Sequence, residues 1–280
     1  MSESSALFVA STVPLTVRRF HPAGGISRHW LGGSALVTHA FNAMNLIFPD
    51  MELFFIHSVR RHRSHITDPE HRTLLASYIR QEAQHGASHR QALELLVAQG
   101  FALDGWMSRY RRGLDWFKSR APALLCLSMT SAMEHFTARI AERWLTEGRL
   151  EQSDPEMAAL LGWHAVEEIE HRAVAFDVLQ AVDARWWVRA VGMLLVAGLL
   201  FPLWISGMVY LLRQDDQVSL RRLWREALIA RGEGHGLTRF LRWDVIPYLR
   251  PRFHPHDHDN LHLAQVELDR LLGRLTAAGA

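Results

Sequence analysis

The chain has one cysteine, Cys126, which excludes an internal disulfide and suits a reducing compartment. Its neighbours Leu124, Leu125 and Leu127 are apolar and no acid or base adjoins it, so it reads as core filler, not a reactive thiol. A strand-like alternation of apolar and polar residues is also missing. Residues 1–20 lack a basic stretch followed by an unbroken apolar run and a small-residue cleavage site, so no secretory signal is expected. There is no glycine-rich flavin or nicotinamide fingerprint, so any electrons used would come from an external donor. The arginines are not interleaved with aromatics, which argues against a nucleic-acid partner. The formal charge of +2 is a slight excess that suits acidic ligands or an anionic membrane surface.

What is present favours a folded helical protein. Of 280 residues 49% are apolar, enough to offset the entropy of ordering the backbone. Glycine and proline mark out four long helical segments: 34–65, interrupted or kinked at Pro49, which is best tolerated in the first turn of a new helix, then 67–100, 121–148 and 153–184. Asp68-Pro69-Glu70 and Asp154-Pro155-Glu156 are start signals, combining a capping carboxylate, a first-turn proline and an acid at the positive dipole end. Gly100 and Gly148 are stops. The expectation is all-α: a four-helix bundle over residues 34–184, with residues 185–280 forming an apolar segment and C-terminal helices packed on it.

The two start signals precede Glu82 and His85, and Glu168 and His171, at identical offsets, so the chain carries an internal repeat. Read every three and four residues, the fourth segment aligns Met157, Leu161, His164, Glu168, His171, Ala175 and Val178. The second aligns Leu75, Tyr78, Glu82, His85, His89, Leu93 and Leu96. Glu52 shares a face with Phe55, Ile56 and Val59, and Glu134 with Leu127, Ala138 and Ala141. Each apolar face thus holds an inward glutamate. Buried alone, a carboxylate is driven neutral, and four together repel. Two divalent cations resolve both conflicts, and oxygen and imidazole donors suit two Fe ions, with Mn or Zn as alternatives. The expected ligands are Glu52, Glu82, His85, Glu134, Glu168 and His171.

Glu167 and Glu170 flank Glu168, but only Glu168 aligns with Glu82, which leaves the other two to support a ligand or face solvent. His164 lies one turn before Glu168, and spacing leaves it open as a ligand or a hydrogen-bond partner of one. Tyr78 stands at the matching repeat position and His89 one turn after His85. These two are the candidate catalytic side chains beside the metals.

The segments FPDMELFFIHSVRRHR, YIRQEAQHGASH, SAMEHFTA, WHAVEEIEHRAVAFDV and FHPHDHDN resemble the bacterial "predicted metal-dependent hydrolase" proteins, a ferritin-like group. That resemblance runs over most of residues 40–260 and implies a dinuclear centre in a ferritin-like bundle. The spacing His164-x-x-x-Glu168-x-x-His171 also looks like that of di-iron arylamine N-oxygenases, which implies that His164 is a ligand.

From Ala190 to Leu212 no charge occurs, and the run is long enough to span a membrane. Pro202 interrupts its centre, so a shallow hairpin is an easier entry than a single crossing. The alternative is that it covers the bundle or forms a homodimer interface. The expected location is cytoplasmic, peripheral on or anchored to the inner face of the cytoplasmic membrane. Near the end, His254, His256, His258 and His262 with Asp257 and Asp259 read as a solvated turn or lid, with a separate metal site as the alternative. The leading functional expectation is a di-iron oxygenase or oxidase acting on a hydrophobic or amphipathic small molecule. Its rival is a metal-dependent hydrolase using metal-activated water, and a non-catalytic metal-binding protein is the third reading.

Overall fold

A computed structural model describes residues 25–232 and 241–278; residues 1–20, where no secretory signal is expected, lie outside the described residues. The fold is all-α. No strand forms among the described residues, and a lone bridge joins Leu31 to Ser153.

The first expected segment is two helices, α1 (Ala35–Asn45) and α2 (Phe48–Arg60). Pro49 falls in the first turn of α2, where its missing N–H leaves no gap in the ladder, so of the two expectations the interruption is the one that forms. Helix α3 (Pro69–Ala98) starts where expected, with the Asp68 carboxylate accepting from the His71 N–H at 2.8 Å. Gly100 then leaves the helical region at φ +93°, a conformation open to glycine. A further helix, α4 (Asp104–Arg120), occupies a stretch in which no helix was expected. It buries little besides Trp106 and Met107 and contains Gly105 and Gly113, so its apolar period is thin.

Helix α5 (Ala123–Thr146) follows, then α6 (Pro155–His171), capped by Asp154 accepting from the Glu156 N–H at 3.0 Å. The fourth expected segment does not run through: it stops after His171 and resumes as α7 (Val174–Val182). At the break the Arg172 guanidinium donates at 2.5 Å to the Ile169 carbonyl, which an unbroken helix would pair with the Ala173 N–H. Helix α8 (Trp186–Leu212) absorbs Pro202 in one continuous rod, so the expected hairpin does not form. Helices α9 (Leu220–Gly232) and α10 (Leu261–Ala278) complete the chain.

Helices α2, α3, α5 and α6 with α7 pack into the bundle, α8 lies across α1 and α5, and α10 lies on α6. Cys126 is buried in the main apolar core with Leu127, Phe54 and Leu179. The α5–α8 contact is backbone-close. A Cβ on Gly192 would come within 2.1 Å of Ser128 Oγ and 2.5 Å of the Ser128 carbonyl carbon, while Ser128 Oγ donates to the Val188 carbonyl at 2.7 Å. Arg189 is wholly buried. Its guanidinium donates to the Tyr248 and Arg250 carbonyls and stacks on Tyr248, Phe176 and Phe253, which ties the C-terminal segment to α8. The other side of α8 is bare: Val191, Leu194, Leu199 and Phe201 are exposed. The helix is long and apolar enough to cross a membrane, and only 17% of its most apolar window is buried.

Candidate metal centre

Seven side chains from four helices converge in the bundle interior: Glu52 from α2, Glu82 and His85 from α3, Glu134 from α5, and His164, Glu168 and His171 from α6. All except His164 are at most 3% exposed. His171 Nε2 lies 3.2 Å from Glu82 Oε1, and its Nδ1 lies 3.2 Å from Glu134 Oε2. His85 Nδ1 is 3.7 Å from Glu82 Oε1 and 3.5 Å from Glu168 Oε1. His164 Nε2 is 3.2 Å from Glu168 Oε1. Donor atoms of Glu82, His85, Glu168 and His171 all lie within 4.8 Å of one another, and Glu52, His85 and His164 form a second such group. His85 is shared by the two.

The charges are strained without cations. Burial, then the charge of Glu82, pushes the Glu52 carboxyl far above its usual range, and burial with Glu134 does the same to Glu82. Glu134 is also raised by burial, although hydrogen bonds from His171 and Tyr78 act against the rise. Glu168 goes the other way: burial would raise it, but His164, His171 and His85 hold it below the ordinary carboxylate range. Burial opposes a charge on His85 and His171, yet Glu167 on one and Glu134 on the other prevail, leaving each raised to about 9.

Several atoms in the cluster have no hydrogen-bond partner. Glu52 Oε2, both Glu82 oxygens, His85 Nδ1, Glu168 Oε2 and His171 Nε2 are buried and unpaired. Each such atom costs about 1–3 kcal/mol, a cost that a bound divalent cation removes. Oxygen and imidazole nitrogen are donors that Fe, Mn and Zn all accept. The residues present therefore fit a metal centre.

Supporting contacts fix the donors. The Glu167 carboxylate accepts from His85 Nε2–H at 2.9 Å, and Tyr78 Oη donates to Glu134 Oε1 at 2.6 Å. Asn45 Oδ1 accepts from His89 Nδ1–H at 2.7 Å, which turns the His89 Nε2 lone pair to Glu52 Oε1, 3.2 Å away. A Cβ on Gly86 would lie 3.0 Å from Glu52 Oε2, so a bare backbone there makes room for that carboxylate. Neither Asn45 nor Gly86 carries a sequence signal, because each acts only across a helix–helix contact.

A polar cleft of about 430 Å³ touches the cluster at His171 and is lined as well by Ser77, Gln81, Glu170, Asp177 and His256 among others. Burial, then Glu167, raises the Glu170 carboxyl on its wall to about 7. Of the C-terminal histidines, the rings of His254 and His256 meet edge to face with centroids 4.8 Å apart. His254 Nε2 meets Asp177 Oδ1 at 3.1 Å, His258 turns to Arg139, and no grouping of these residues that could hold a metal occurs among the described residues. A separate cluster, His29, His39 and Asp215, carries no sequence signal. Both histidines meet Asp215 Oδ2 through Nε2, at 2.7 and 2.8 Å, while Arg28 contacts Oδ1 and Arg222 contacts His29 Nδ1. Two guanidiniums beside the donors make this a polar tie between the chain before α1, α1 itself and the turn after α8, and disfavour a cation.

Fold and site together define a helical protein with a buried carboxylate–histidine cluster able to bind metal ions. The sequence model of the predicted metal-dependent hydrolase family matches residues 16–259, and the chain belongs to that family. Neither a curated protein nor a solved structure matches it.

Proposed function

We propose that this protein is a metal-dependent hydrolase holding two divalent cations between Glu52, Glu82, His85, Glu134, His164, Glu168 and His171. The observation that carries the reading is the set of unpaired, buried donor atoms on Glu82, His85, Glu168 and His171, within 4.8 Å of one another, with His171 also lining the polar cleft. Family membership supports hydrolysis over the oxidative chemistry expected from the donor types. Bound cations would act as Lewis acids on a carbonyl or phosphoryl oxygen and make water more acidic.

The chain's own groups do the rest. Ser77, Gln81 and His256 line the cleft and bind the polar part of an ester or phosphoester. Glu170, on the same wall, takes the proton of the attacking water as the new O–C or O–P bond forms, then returns it to the departing oxygen. Tyr78 holds Glu134, and Glu167 holds His85.

The test is turnover of p-nitrophenyl esters and phosphates by the Zn- or Mn-loaded protein without oxygen. Glu170→Gln lowers kcat about 100-fold or more at unchanged metal content. Lack of turnover with either metal sinks the reading. One observation favours a second reading: four glutamates in the cluster are a donor set that stabilises higher-valent iron. That di-iron oxidase would need an external electron donor, and ferrous loading followed by air would give a transient visible chromophore. Metal retained with neither activity indicates a binding protein.

A further inference from the structure

A second cavity, of about 700 Å³, lies apart from the polar cleft, between α2, α4, α5 and α8. Its walls are apolar, with Met51, Phe54, Phe117, Met133 and Leu203 among them, and its size is that of a small-molecule site. Methionine side chains bend to fit, so Met51, Met129 and Met133 suit a flexible guest. One charged residue lines it, Arg109. That residue is exposed and makes no ion pair or hydrogen bond with the described residues, whereas Arg111, two residues along, pairs with Asp50 at 2.8 Å. Gly113 adds room, since a Cβ there would meet nothing within 4 Å. The rim runs on into the bare side of α8 at Leu199.

We infer that this groove binds a free single-chain amphiphile, its alkyl chain between α4 and α8 and its anionic head on Arg109. An apolar trough with one unpaired cation is complementary to a molecule with one charged end and a long apolar body. A protein helix would bring several charged or polar groups to a wall that offers one charged partner, and a bare hydrocarbon would leave Arg109 unused. The site goes beyond the metal chemistry and does not depend on it.

Trp106 and Trp116 line the groove, so their fluorescence reports occupancy by monomeric decanoate, dodecanoate or tetradecanoate added to the full chain. Affinity tightens about fourfold per methylene, the factor expected for burying each in an apolar site. Dodecyltrimethylammonium, with the same chain and the opposite charge, binds at least tenfold more weakly than dodecanoate, and Arg109→Gln removes that preference. Gly113→Leu fills the groove and weakens dodecanoate binding at least tenfold, while leucine favours the helix, so thermal stability holds or rises. Leu199→Trp, at an exposed rim position, gives a second block should the first variant fold poorly. Chelator-stripped protein binds dodecanoate as tightly as loaded protein, so failure of the hydrolytic reading leaves this result standing. Binding indifferent to chain length, or intact in both blocked variants, overturns the proposal. So does protein that floats with phosphatidylglycerol vesicles yet ignores dodecanoate, which would make the apolar surface a membrane contact.

Discussion

His85 gives its Nε2–H to Glu167 at 2.9 Å, and so its other nitrogen, Nδ1, is the one turned to Glu82 and Glu168. Orientation by such a partner typically governs metal affinity by 10- to 100-fold. Glu167→Ala is therefore expected to weaken metal binding by about that factor, measured by competition with a chromophoric chelator. Glu167→Gln, whose amide oxygen still accepts, restores part of it. Equal affinity in all three proteins would show that Glu167 has no positioning role.

Glu82 illustrates a conflict between binding and folding. Its carboxyl is raised by burial and by Glu134, so the metal-free fold loses stability as pH rises above the unfolded carboxylate's range. Without metal, Glu82→Gln is expected to be more stable than wild type at pH 7 by on the order of 1–3 kcal/mol. Saturating metal, at about 100 times Kd, adds roughly 2.7 kcal/mol to wild type and little to the variant. Urea denaturation with and without metal measures both differences. A metal-free variant less stable than wild type would contradict the account.

His135 neighbours Glu134 in sequence but faces away from the cluster, donating Nε2–H to the Asp244 carbonyl at 2.9 Å. Burial lowers its pKa to about 3, only partly offset by that hydrogen bond. A depressed histidine gives stability that is complete above the unfolded value near 6.5 and is lost as pH falls from there towards 3. The loss from this one group approaches about 1.4 kcal/mol per pH unit. His135→Gln keeps an N–H for Asp244 and should flatten the slope between pH 6 and 4. Denaturation series at several pH values in that interval give the answer, and an unchanged slope assigns the acid sensitivity elsewhere.

Gly192 lies against Ser128 with no room for a Cβ. Gly192→Ala is expected to destabilise by about 1–3 kcal/mol, since α8 must lift from α5 and stretch the Ser128–Val188 hydrogen bond. Gly198 has open space at its Cβ, so Gly198→Ala should be neutral or stabilising. Thermal denaturation of the pair separates a packing effect from helix propensity. Equal Tm shifts would mean the α5–α8 contact is looser than described.

Helix starts at Asp68 and Asp154 were legible because a capping side chain acts on its own first turn. The glutamates and histidines were legible because polar residues stand out in apolar stripes. Helix α4 was not, since a helix lying on the surface needs little apolar periodicity. Nor was the break after His171, which depends on where the Arg172 side chain finds an acceptor. The polar tie at Asp215 joins positions 176 and 186 residues apart, so only the folded chain reveals it.

The interruption behind His171 makes the two halves of the repeat mechanically unlike. His85 sits mid-rod in a 30-residue helix, whereas His171 is the final residue of its own. On the proposed reading, an ion held by His171 would rest at a helix end and one held by His85 within a continuous rod, so cations on the two halves of the repeat would exchange at different rates.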